Sequence, residues 1–104
     1  MAQFDVFANP FPSARRAYPF VVAMQSDFTV SGTEQLVAPV APIERGLSTA
    51  RRVMPVITLQ GNEHFVVVPR LAVMRTRDLL EKVGSVAMAR AELLAAVDYL
   101  FFGV

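Results

Sequence analysis

The sequence predicts an α+β domain, mainly β, with a helix at its C-terminal end. Three observations predict it. Apolar residues in the earlier part of the chain alternate or run in strand-length stretches, whereas Ser85 to Phe102 shows helical spacing. The glycines Gly32, Gly46, Gly61, Gly84 and Gly103 each fall where one pattern stops and the next begins. At 104 residues the chain is expected to be a single domain spanning 1–104, long enough for a core that needs no disulfide or metal staple.

Gln3 to Phe7 alternates, which puts Phe4 and Val6 on one face and Asp5 on the other. Pro10 and Pro12 break ladder pairing, so Asn9 to Arg16 reads as a loop. Phe20 to Gln25 is a continuous apolar run of strand length, the pattern of a central strand buried on both faces. Ser26-Asp27 closes it as a turn-capping pair, and Phe28 to Glu34 turns the chain round Gly32. Gln35 to Ala41 is a further strand. Pro39 and Pro42 cannot donate to a ladder, so its end is expected at a sheet edge or bulge. Ile43 to Met54 is mixed in character, with room for a short helical turn.

Val56 to Gln60 and Glu63 to Val68 flank Gly61-Asn62, which predicts a hairpin closed by a type II′ turn; Pro69 ends its second strand. Leu71 to Val83 supports two readings, a helix around Leu79 and Leu80 or a short strand over Met74 to Arg77. Ser85 is the expected N-cap of the last helix, whose stripe of Val86, Leu93, Leu94, Val97, Leu100 and Phe101 is expected to face the core. At ~100° per residue Phe102 falls away from that stripe, on the face of Ala91, Ala95 and Asp98. An aromatic ring in that place is a candidate for touching another molecule. Arg90 lies within the stripe and is expected to snorkel outward or pair with an acid.

Composition narrows the function. Hydrophobic residues make up 54% and charged residues 18%, an excess that a homodimer interface would hide. A formal charge of +1 with scattered arginines argues against a nucleic-acid binder. No apolar run has the length of a membrane span and the opening residues lack a signal-peptide form, so a cytoplasmic location is expected. The absence of cysteine fits that compartment. His64, the single histidine, has no second ligand at metal spacing and reads as a half-exposed strand side chain. With no glycine-rich phosphate loop, nucleophile elbow or paired carboxylates, neither a cofactor nor a catalytic site is expected.

Together these marks resemble the CcdB toxins of bacterial toxin–antitoxin pairs. Gln3-Phe4 with Val6 opens the chain, and Tyr18-Pro19 leads into a strand closed by Gln25-Ser26-Asp27. Val37-Ala38-Pro39-Val40 resembles the family's Val-Ile-Pro-Leu strand, with Ala38 and Val40 in place of its isoleucine and leucine, Pro55-Val56 opens the hairpin, and a C-terminal helix ends on aromatic–Gly–aliphatic. The resemblance implies a CcdB/MazF-like, SH3-type barrel: a twisted antiparallel sheet, a small second sheet and a C-terminal helix, assembled as a homodimer. It implies a toxin that binds the DNA gyrase A subunit, traps gyrase on cleaved DNA and is neutralised by a CcdA-like antitoxin. The family's gyrase contacts carry over to Phe102, Gly103 and Val104, to Asp98 on the helix, and to Phe28 and Thr29 in the loop after Gln25-Ser26-Asp27. Val104 is expected to supply a small apolar end and a free carboxylate. Phe102 stands where the best-known form of the motif carries tryptophan, and so lacks the indole N–H. Two other readings stay open at this level. One is a MazF-like ribonuclease that recruits Arg15, Arg16 or Ser26; the other is a homologue that keeps the fold without poisoning gyrase.

Overall fold

The computed structural model describes residues 1–43 and 52–104. Its strands are β1 (Asp5–Ala8), β2 (Phe20–Ala23), β3 (Glu34–Pro42), β4 (Val56–Leu59), β5 (Asn62–Val66), β6 (Ala72–Arg75) and β7 (Lys82–Ser85), followed by helix α1 (Arg90–Phe102). Every strand pair is antiparallel. The order is β4-β5-β3-β2-β1-β7, with β6 branching from β3. The smaller sheet expected beside the main one is this β3–β6 branch, hydrogen-bonded into the same network. The sheet curls into an open half-barrel whose two ends approach each other: a Cβ on Gly84 of β7 would meet Leu59 Cδ2 of β4 at 3.9 Å.

The apolar run of β2 acts as predicted. Val22 and Met24 enter the main core with Val6, Ala38, Val40, Val66, Leu93 and Ala96, between sheet and helix. Val21 and Ala23 enter a second cluster on the opposite face with Phe7, Val37 and Leu79. Fully burying the valine, leucine, methionine and phenylalanine side chains among these contributes roughly 1.5–3 kcal/mol each.

The two prolines of β3 have different fates. Pro42 lies past Val40, the last residue paired with β2, and pairs with β5 alone, so the end of the strand is at an edge as expected, whereas Pro39 is interior. Up to Val40, β3 is a central strand, paired with β2 on one side and with β6 and then β5 on the other. Met24 N–H donates to Leu36 O (2.8 Å), so residues of Leu36's parity turn their backbone groups toward β2. Pro39 has the other parity and faces the junction where β6 gives way to β5. There its carbonyl accepts from Val67 N–H (2.8 Å) and no donor is required of it.

The hairpin forms, one residue earlier than predicted. Leu59 pairs with Asn62, so Gln60-Gly61 is the turn, with φ of 52° and 79°. Positive φ at both central residues makes it type I′ rather than II′. The register is fixed from outside the hairpin, because β5 also pairs with β3 through Val40 and Val66.

Over Leu71 to Val83 the strand reading is the correct one. It begins earlier, at Ala72, and Thr76–Asp78 is a 3₁₀ turn. Strand β7 has no sequence signal of its own and exists through its pairing with β1. The α-helix starts at Arg90, after a 3₁₀ turn over Ala87–Ala89; Ser85 Oγ accepts from Ala87 N–H (3.2 Å) and so caps the turn, not the helix. The short helical turn given room in Ile43 to Met54 falls largely outside the described residues.

Candidate functional site

The end of α1 stands clear of the fold. Leu93 and Ala96 are buried and Val97 packs partly against them, but the expected stripe stops there. Leu94, Leu100 and Phe101 were expected in the core and are exposed instead. Leu100 points toward the same side as Leu93, so its exposure has a simple cause: the last turn runs beyond the sheet that would cover it.

Phe102 is 75% exposed, and Phe101 beside it 65%. The two rings lie 6.5 Å apart at 54°, a paired aromatic surface of which the helical wheel predicted only one member. Asp98, one turn before Phe102, is also exposed. Gly103 adopts φ 74°, and its N–H donates to Tyr99 O (2.9 Å), the left-handed stop that favours glycine. Nothing lies within 4 Å of where its Cβ would be, so an approaching backbone has open access. Val104 is exposed and lines a cleft of about 350 Å³ with Arg52, Pro55, Val56, Glu92 and Ala95. Close by, the Arg52 guanidinium stacks 3.8 Å above the Tyr99 ring and holds the chain entering β4 against the helix.

The loop after β2 presents the second group. Phe28 is 99% exposed and Thr29 is exposed beside it. The loop beneath them is ordered by its own polar atoms. Ser26 Oγ accepts from Phe28 N–H (3.2 Å), Ser26 O accepts from Thr29 N–H (3.0 Å), and Gln25 Nε2 donates to Thr29 O (2.8 Å). Asp27 does more than cap the turn: its Oδ1 accepts from Gln3 N–H (2.9 Å) and ties the loop to the N-terminal segment. Among the described residues, no hydrogen bond, ion pair or aromatic contact joins this loop directly to the last turn of α1.

Other expectations change. His64 is buried rather than half-exposed, with Nδ1 3.0 Å from Asn62 O and its ring edge-on to Phe20 at 5.5 Å. Arg90 finds an amide and a ring in place of an acid, donating to Gln3 Oε1 (3.0 Å) with its guanidinium 5.8 Å from the Phe4 centroid. Asp5 is buried and pairs with Lys82 at 3.3 Å. Arg15 Nε donates to Asn9 O (2.6 Å) and Ser26 is committed to its turn, so two of the three residues a ribonuclease would recruit serve local structure; Arg16 is exposed. Among the described residues no group of three His, Cys, Asp or Glu could hold a metal ion, and no helix is long and apolar enough to cross a membrane.

What remains are two exposed features: an aromatic pair beside a glycine stop, and an ordered loop capped by a fully exposed ring. The family model of the CcdB protein matches residues 3–103. The chain belongs to the CcdB family. CcdB proteins are the toxins of toxin–antitoxin pairs; they poison DNA gyrase and are not enzymes. Membership implies the gyrase A subunit and a CcdA antitoxin as partners. No curated protein sequence matches the chain. The family match sets aside the ribonuclease reading.

Proposed function

We propose that this chain binds the gyrase A subunit through the end of α1, with Phe102 as the anchor. Gly103 and Val104 continue the contact, Asp98 flanks it, and Phe28 and Thr29 add a second patch from the loop after β2. One observation carries the reading. A large aromatic ring stands 75% exposed on a helix whose other side supplies the core, next to a glycine held in the left-handed region. Fully desolvating a ring of that size contributes about 2–3 kcal/mol, the scale of an interface hot spot. Phenylalanine offers the stacking face without an indole N–H, so the contact at Phe102 is apolar or cation–π in kind.

In this reading the chain acts as a homodimer that presents two such tails to a twofold gyrase A dimer, traps gyrase on cleaved DNA and is released by a CcdA-like antitoxin. Deleting Phe102 to Val104 tests the reading. The shortened chain is expected to keep its circular dichroism spectrum and its dimeric mass by light scattering. It is expected to lose gyrase A binding in calorimetry and growth arrest when expressed without antitoxin. Undiminished toxicity of the shortened chain would sink the proposal.

A further inference from the structure

Gln3 is the only described residue that hydrogen-bonds both the loop carrying Phe28 and helix α1. Its N–H donates to Asp27 Oδ1 (2.9 Å), its Nε2 donates to Met24 O (3.0 Å), and its Oε1 accepts from Arg90 Nη1 (3.0 Å). Met24 O can only accept and the guanidinium can only donate, so a single orientation of the amide satisfies both. Neither a carboxylate nor an apolar side chain at this position could make both bonds. Gln3 is itself anchored by Phe4. Phe4 N–H donates to Ala23 O (2.6 Å) and Phe4 O accepts from Val86 N–H (2.9 Å). Phe4 is buried at φ 70°, a left-handed conformation that costs a bulky residue free energy and persists only where its surroundings enforce it.

We propose that Arg90, acting through Gln3, is a positioning residue that sets the Phe28–Thr29 loop against α1 and hence against the helix end. This rests on the reading of Phe28 and Thr29 as gyrase contacts. Arg90 need not touch the partner. It closes a strut from the first turn of α1, across the Gln3 side-chain amide, to Met24 O at the base of the loop, while the backbone N–H of the same Gln3 holds Asp27. The Phe4 face beneath the guanidinium holds the cation in place. The strut removes freedom that the loop would otherwise lose on binding.

The test is a double-mutant cycle read by calorimetry on the full chain and purified gyrase A subunit. Arg90→Ala is expected to weaken binding about tenfold, the upper end for one lost hydrogen bond, and to lower the melting temperature by no more than a few degrees, because the bond is exposed. Arg90→Lys, which keeps a cationic donor, is expected to restore most of it. Adding Arg90→Ala to Phe28→Ala is expected to cost less than about twofold further, whereas added to Phe102→Ala it costs its full factor. Amide exchange over residues 27–30 is expected to accelerate in Arg90→Ala while β2 and β3 stay protected. Losses that multiply with Phe28→Ala would show that Arg90 acts independently of the loop and overturn the inference. If Phe28→Ala weakens binding and Arg90→Ala does not, the strut alone is overturned. Wild-type binding by Phe28→Ala would overturn the loop contact and this inference with it, leaving the Phe102 anchor to its own deletion test.

Discussion

Leu93 and Phe102 stand nine residues apart on one helix, and their fates are opposite. Nine residues turn the helix through about 180° beyond two full turns, so the two side chains point in opposite directions. Leu93 is fully buried against the sheet, whereas Phe102 is 75% exposed. By hydrophobicity they are interchangeable; what separates them is whether another surface is there to receive them. The core end of α1 is supplied with a partner by its own chain. The terminal end keeps the same kind of residue with no such cover among the described residues, and the proposed gyrase contact would supply it.

Breaking the comparison at its core end has the largest expected effect. Leu93→Ala removes a fully buried side chain from the main cluster, and a cost of about 2–5 kcal/mol is expected from lost transfer energy and the cavity left behind. Chemical denaturation checks it. The folded fraction of this variant should still bind gyrase A with near-parental affinity, because the helix end is untouched. Loss of binding in proportion to stability would mean that the two ends are not separable.

The converse change sharpens the contrast. Phe102→Ala lies outside every buried cluster, so its stability is expected to stay within about 0.5 kcal/mol of the parent. Gyrase A affinity is expected to fall by about 2 kcal/mol or more, roughly thirtyfold, as when an aromatic anchor is truncated. A variant that unfolds instead would show that the ring belongs to the fold. The two substitutions together should reverse each other's pattern: one loses stability and keeps affinity, the other does the opposite.

That contrast also marks how far the sequence could be read. The buried run of β2 was legible because nearest neighbours along the chain determine it: four consecutive apolar residues need cover on both faces. Phe102 was legible because rotation about a helix is a local rule. Phe101 was not, because its exposure depends on where the sheet stops relative to the helix, and no periodicity contains that distance. Strand β7 escaped for the same reason, since Lys82, Gly84 and Ser85 become a strand only beside β1. His64 was misread as half-exposed because Phe20, the ring that packs edge-on to it, comes from a strand far away in sequence. The interior position of Pro39 depended on β3 changing neighbours midway, a property of topology. At the candidate site, residue types and order were visible early. The strut of Arg90, Gln3 and Asp27 was not, since it joins three distant parts of the chain.

The smallest expected effect concerns two left-handed positions, one at each end of the comparison. Gly103 ends the helix at φ 74° and carries no side chain, while Gln60 adopts φ 52° in the hairpin turn and carries one. A left-handed conformation costs a residue with a Cβ roughly 1–2 kcal/mol unless its side chain can satisfy the local backbone, as asparagine does. Asn-Gly is also the pair that type I′ turns favour. Gln60→Asn is therefore expected to raise stability by about 0.5 kcal/mol, read as a small upward shift of the denaturation midpoint at constant slope. It should leave gyrase A affinity unchanged, because the turn belongs to the part of the molecule that completes its packing internally. A midpoint that falls would mean that the glutamine side chain makes a compensating contact at the turn. A change in affinity would mean that the hairpin tip, and not only the end of α1, reaches the partner.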